Sequence, residues 1–212
     1  MKFANNLRRC AAVSSLSIAC LLAAPAQAAV VLQVSTGGVL TGASGVTVGA
    51  LPGTYSVAFL DGSCNTLFAG CNPSRFAFSS EGQALDASAA LLASVFVDTG
   101  QGLFDSFPGL TRGCEFGTFC RAATPFGEAA NNLASHVIAF NDDVIADRAP
   151  SVGDRPVGFD TSAVSDLVYA VWSREAVAPA AVPEPGTLAL LGLAGAVLGW
   201  TQRRRRPAIP IQ

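Results

Sequence analysis

The sequence predicts an α+β domain. It is a mainly antiparallel β-sheet with one packed α-helix and disulfide-stapled loops, preceded by an N-terminal signal peptide and followed by one short C-terminal transmembrane helix. Three observations carry the folded part. Residues 54–60 alternate, with Tyr55, Val57 and Phe59 on one side and Ser56 and Ala58 on the other, which is the period of a strand buried on one face. Residues 81–97 place Leu85, Ala89, Leu92 and Phe96 at helical spacing. Residues 133–140 and 166–172 are short runs rich in β-branched and aromatic side chains, bounded by polar segments.

Along the chain, residues 30–34 form a first strand. Residues 36–49 are rich in Gly, Ser and Thr, and Gly37, Gly38, Gly42, Gly45 and Gly49 punctuate them into short strands and turns. The alternating strand ends at the turn signal Asp61-Gly62. Residues 75–78, Arg-Phe-Ala-Phe, are a short strand candidate. Ser80 with Gln83 makes a capping-box pattern at the start of the helix, and Asp98-Thr99-Gly100 stops it. Its apolar stripe is expected to lie across the sheet. Residues 99–127 read as a loop rich in turn residues that nevertheless holds Phe104, Phe107, Phe116, Phe119 and Phe126. A loop of that length needs its own packing or covalent staples. A polar stretch, 141–165, separates the last two strands, and the Ala, Val and Pro of residues 176–183 make an extended, exposed linker.

The two ends assign a route. Lys2, Arg8 and Arg9 form a basic start, residues 13–24 are mostly apolar, and Ala26-Gln27-Ala28 is a small-x-small exit. Residues 1–28 therefore read as a secretory signal peptide cut between Ala28 and Ala29, which implies the Sec machinery and signal peptidase as partners. At the other end stands Val182-Pro183-Glu184-Pro185-Gly186, where Pro185 lacks an N–H and pushes Glu184 toward extended geometry, the form a protease or transpeptidase reads. An uncharged apolar run, 187–200, and the cluster Arg203, Arg204, Arg205 and Arg206 follow. The run is about 14 residues, roughly 21 Å of helix, shorter than the roughly 30 Å hydrocarbon core. Trp200 at the interface and snorkelling arginine stems extend its span, and the arginines stay cytoplasmic.

This arrangement closely resembles the PEP-CTERM sorting signal, by which exosortase-type membrane enzymes of Gram-negative bacteria recognise exported proteins. The resemblance implies an exosortase as partner, transient anchoring in the inner membrane, and removal of the tail near Pro183-Glu184-Pro185. It also implies a destination at the cell surface or in the extracellular matrix, with exopolysaccharide as a further partner. The chain then divides into a signal peptide (1–28), a domain (29–175), a linker (176–181), a sorting signal (182–206) and a tail (207–212). Within the domain, YSVAFLDGSC from Tyr55 to Cys64, Cys71, Gly113-Cys114, Cys120, Thr124-Pro125 and YAVW from Tyr169 to Trp172 resemble a recurrent group of PEP-CTERM-domain proteins. That group brings no established activity and so implies no catalytic site.

All 15 acidic residues lie between Asp61 and Glu184, together with only six basic ones, so that stretch carries −9 against −2 for the whole chain. Such a balance excludes nucleic acid as a partner and argues against docking on anionic lipid. Lys2 is the only lysine, and its loss with the signal excludes Schiff-base chemistry, a P-loop lysine and Lys isopeptide crosslinks. Cys10 and Cys20 leave with the signal, whereas Cys64, Cys71, Cys114 and Cys120 stay. Four cysteines in an exported domain imply two disulfides with three possible connectivities. Cys64–Cys71 and Cys114–Cys120 are favoured because each pair closes a short Gly-containing loop. Neither pair has C-x-x-C spacing, and the oxidising compartment argues against zinc.

Chemistry is sparse. His136, the sole histidine, sits in an apolar strand and no G-x-S-x-G elbow accompanies it. It reads as exposed on the outer face of the sheet or satisfied by one hydrogen bond. Asn141, Asp142, Asp143 and Asp147 are candidate calcium ligands, but their spacing matches no EF-hand loop, and a solvated turn is the simpler reading. No two carboxylates stand out as a glycosidase pair, and the Phe-rich residues 103–119 are either a sugar-stacking platform or core. The expectation is a non-enzymatic exported protein without cofactor or metal. The alternative is a secreted hydrolase or carbohydrate-binding module acting on the matrix.

Overall fold

The computed structural model describes residues 29–115 and 117–176. The signal peptide, Phe116, most of the linker, the sorting motif and the arginine cluster lie outside the described residues. The centre of the fold is one seven-stranded sheet. Its strands are β1 (Val31–Val34), β2 (Leu40–Val46), β3 (Tyr55–Leu60), β6 (Phe119–Ala129), β7 (Leu133–Asp142), β8 (Arg148–Pro156) and β9 (Leu167–Arg174). They stand in the order β1-β2-β3-β9-β6-β7-β8, antiparallel except for the parallel pair β6 and β9. Two-residue strands β4 (Asp98–Thr99) and β5 (Gly102–Leu103) pair separately.

The strand β3 bears out its alternation: Tyr55, Val57 and Phe59 are buried, and Ser56, Ala58 and Leu60 are half-buried. The Gly-rich stretch before it holds one strand, β2 from Leu40 to Val46, between turns rather than several short strands. Gly42 is required there because a Cβ would run into the carbonyl oxygen of Val57 on β3. Helix α2 (Glu81–Ser94) covers the face that holds Val57, Phe59, Ala122, Ala139 and Val168. The Oγ of Ser80 accepts the Gln83 N–H at 3.4 Å, while the Gln83 side chain accepts from Ser79 rather than from Ser80, so the expected box is shifted by one residue.

Three expectations need correction. The buried stripe of α2 is Ala84, Ala87, Ser88 and Leu91, not the set Leu85, Ala89 and Leu92. Both sets have helical spacing in a run of Ala and Leu, and the smaller set wins because small side chains let helix and sheet approach closely. Residues 75–78 are not a strand. The turn Pro73–Arg75 is capped by Asn72, after which Phe76 enters the layer on one side of the sheet and Phe78 the core on the other. The i, i+2 aromatic pair thus marks a crossing and not a strand face. The expected loops 99–127 and 141–165 each hide a strand, β6 and β8. Pro125 and Gly127 sit at a bulge of β6 beyond its pairing with β9, and β8, with Pro150 and Pro156, is an edge strand. These are the positions where a sheet tolerates proline.

The face opposite α2 is covered by a short helix, α1 (Cys64–Leu67), with the loop behind it and by residues 157–166. Ser63 and Thr66 form a full capping box for α1. Each face has one covalent staple. Cys64–Cys71 belongs to the α1 layer, and Cys114–Cys120 to the α2 core at the start of β6. Their Cα atoms are 4.8 Å and 5.4 Å apart. Both expected pairings are present.

The register places Val31 beside Ser44, Val46 beside Tyr55 and Tyr55 beside Arg174. The chain therefore enters the sheet at Ala29 and leaves it at Ala176 from the same end. Glu175 clamps the exit: its N–H donates to the carbonyl of Thr54 at 2.9 Å, and its carboxylate accepts from Gly45 N–H at 2.8 Å and from the Thr54 hydroxyl at 2.7 Å.

Candidate functional site

His136 lies on β7, where the pleat turns it away from α2, between Pro125 of β6 and Gly153 of β8. It is 1% exposed, which corrects the expectation of an outer-face position, and its Nδ1 meets the carbonyl of Ala134 at 3.2 Å, the single hydrogen bond of the other reading. With the proton on Nδ1, the ring is a neutral donor to that carbonyl. Burial pushes its pKa below the usual histidine value, Arg155 pushes the same way, and the Ala134 carbonyl and Asp154 oppose them. No nucleophile bonds to it among the described residues.

A depressed histidine makes stability pH-dependent. The unfolded chain takes up the proton near the ordinary value of about 6.5, while the folded ring resists it, so the unfolded state binds more protons on acidification. The contribution of His136 is therefore complete above that value and is lost as pH falls below it toward the folded pKa. The urea midpoint is expected to drop between pH 7.5 and pH 5.5, and His136→Leu should flatten the slope. An equal slope in both proteins would refute this.

The candidate calcium ligands do not converge on one point. The Asp142 carboxylate accepts the N–H groups of Val144 at 3.1 Å and Ile145 at 3.3 Å, which hold its pKa below the usual range, and Arg148 adds an ion pair at 3.4 Å. Asp147 accepts from Asp142 N–H at 3.1 Å, and burial raises its pKa. Asn141 is buried and donates to the Phe104 carbonyl at 2.7 Å. Among the described residues no three metal-ligating side chains gather.

Asp61 is the other carboxyl with a raised pKa, chiefly from burial, with Glu115 and Asp160 adding like charge and the Thr161 hydroxyl opposing at 3.0 Å. It lines neither of two shallow depressions. One of about 360 Å³ is lined by Thr66, Leu67, Phe68, Ala69, Arg75 and Val171. The other, of about 200 Å³, is lined by Gln33, Ser56, Val57, Ala58, Val171 and Ser173. Neither brings together two carboxylates or a nucleophile with a base. Of the Phe-rich segment, Phe104 is fully buried in the core and Phe107 is 56% exposed.

One constellation was not legible in the sequence. On the face opposite α2, Arg121 of β6 pairs with Asp166 at 2.7 Å, Arg155 of β8 lies 5.1 Å from the ring of Phe159, and the buried Tyr169 of β9 stands beside Ala123 of β6. These residues come from three strands far apart in sequence and share only a face of the sheet, which no local spacing signals.

Ala29 is exposed and is the first of the described residues, whereas Ala26, Ala28, Val182 to Gly186 and Arg203 to Arg206 lie outside them. No helix among the described residues is long and apolar enough to cross a membrane, and the apolar run 187–200 is not among them. Comparison with known families matches residues 181–206 to the PEP-CTERM protein-sorting motif. The span agrees with the sorting signal expected at 182–206 to within one residue. No curated protein and no solved structure matches the chain.

Proposed function

We propose that this chain is an exported protein delivered to an exosortase through residues 181–206, and that its folded domain is a non-enzymatic component of the cell surface or exopolysaccharide matrix. The match to the PEP-CTERM protein-sorting motif carries the reading. Supporting it are the signal-peptide pattern of residues 1–28 and two disulfides, which persist in oxidising compartments. Within the described residues β9 is paired on both sides, so a cut beyond residue 176 breaks none of the strand pairings described. Removal of the tail then leaves the fold intact.

Replacing Arg203 to Arg206 with serine, or Pro183-Glu184-Pro185 with alanine, is expected to leave full-length precursor in the membrane fraction and to deplete the surface fraction. Intact mass of the surface protein reads out the cut. If that protein still contains residues 187–212, the tail is a stable anchor and the sorting reading fails.

A further inference from the structure

The layer opposite α2 covers only half of the sheet. Its buried members come from residues 64–76, β6, β7 and β9, and none comes from β1, β2 or β3. On the remaining half the floor is made of small side chains. Ser56 stands beside Ser173, Ala58 beside both Val171 and Gly42, and Gly42 beside Gln33. Ser56 and Ala58 alternate with the core residues Tyr55, Val57 and Phe59, so this row faces away from α2. Gln33 and Ser173 are exposed, and Ser56, Ala58 and Val171 are half-buried.

The two shallow depressions lie on this bare half and at its border, and Val171 lines both, so they are neighbours in one groove. At one end the Oε1 of Gln33 lies over Gly42, 3.2 Å from where a Cβ would stand. In the middle the hydroxyls of Ser56 and Ser173 are 2.9 Å apart. Arg75 and the residues from Thr66 to Ala69 form the wall at the other end. From β1 to β9 the floor crosses three strand spacings, about 14 Å. The larger depression alone, about 360 Å³, falls within the range of ligand sites, roughly 300–1,000 Å³.

The lining selects among occupants. Each of β2, β3 and β9 is paired on both sides, so the floor offers no free backbone ladder to an added peptide strand. It offers side chains instead. The Gln33 carboxamide both donates and accepts, and the bonded pair Ser56 and Ser173 keeps a second O–H and spare acceptor positions. Arg75 adds a cation, and no carboxylate lines either depression. Ala58, Val171 and Leu67 lie between these polar groups and suit the C–H faces of sugar rings. We propose that this groove binds a short stretch of a glycan chain, with its hydroxyls on Gln33, Ser56 and Ser173 and the carboxylate of an acidic sugar at Arg75. The assignment rests on the surface and matrix reading above, which puts the domain within reach of such chains.

The test titrates the purified mature protein with a mannuronate hexamer, with cellohexaose and with an uncharged hexapeptide, following backbone amides by NMR. Saturable shifts at Ser56, Ala58, Val171 and Ser173 are expected with the mannuronate, which should bind at least threefold tighter than cellohexaose. Arg75→Gln should abolish that preference. Ser173→Leu, which fills the groove, should weaken binding at least tenfold, and Gln33→Ala several-fold. These three positions are exposed, so the urea midpoints should stay those of wild type. No saturable shift with either glycan, equal binding of the hexapeptide, or identical titrations for wild type and Ser173→Leu would overturn the glycan groove. Equal binding of the two glycans would overturn the seat at Arg75. Failure here is separable from failure of sorting: a wild-type protein cut and delivered to the surface that binds neither glycan overturns the groove alone, whereas retained precursor overturns the sorting reading whatever the groove binds.

Discussion

Reduction of both disulfides is expected to remove about 5 kcal/mol of stability and to unfold much of the population. The pairs close loops with sequence separations of 7 and 6. For loops of that size, constraint of the unfolded chain is worth roughly 2.5 kcal/mol each. Cys64–Cys71 staples the α1 layer and Cys114–Cys120 the α2 core, so the sheet separates them and the effects should add. The sum is comparable to the whole stability of an ordinary domain, about 5–15 kcal/mol. Urea titrations with and without a phosphine reductant, with thiol counting by mass spectrometry, measure the change. Coincident transitions for the oxidised and fully reduced protein would refute it.

Phe59→Ala should be the most damaging single core substitution, costing about 3–5 kcal/mol. Phe59 is fully buried on β3, and its ring stacks on Phe96 with centroids 5.4 Å apart and an interplanar angle of 17°. Phe96 follows α2, so the pair ties the end of the helix to the sheet. Truncation leaves a cavity bordered by a helix and a strand that cannot collapse independently. A double-mutant cycle with Phe96→Ala should show coupling of about 0.5–1.5 kcal/mol beyond lost area. Val152→Ala, at a site 48% exposed on the edge strand, is the control and should change stability by less than about 0.5 kcal/mol. If Phe59→Ala costs no more than Val152→Ala, the assignment of the core to this contact fails.

How far the sequence could be read depended on whether the signal was local. Tyr55, Val57 and Phe59 announce a one-sided strand because their alternation is uninterrupted. Ser80 marks the start of the helix because capping is a contact of three residues. The disulfides were legible for the same reason, since each joins cysteines close in sequence. The phase of α2 was not legible, because Ala and Leu fill both possible stripes and only the distance between helix and sheet selects the small one. Likewise β6 and β8 were obscured by Pro125, Gly127, Pro150, Gly153 and Pro156, which lower strand propensity but fit a bulge and an edge. The place of Tyr169 on the face that also holds Arg121 and Arg155 depends on β9 inserting between β3 and β6. Nothing local encodes that insertion. The sorting motif stands at the other extreme, a linear signal that needs no fold to be read.

The shared end of entry and exit has a mechanical consequence. A load entering at Ala176 runs along the axis of β9, the middle strand of the seven, which is paired over six positions with β3 and over three with β6. Force in that direction shears the two ladders, so many hydrogen bonds must yield together, whereas an edge strand pulled sideways would unzip one pair at a time. The Glu175 clamp sits where that load first meets the sheet, bonded to both β2 and the residue before β3. A domain held by its C-terminal exit is thus gripped through its most resistant strand, and drag on the far end is carried by the sheet as a whole.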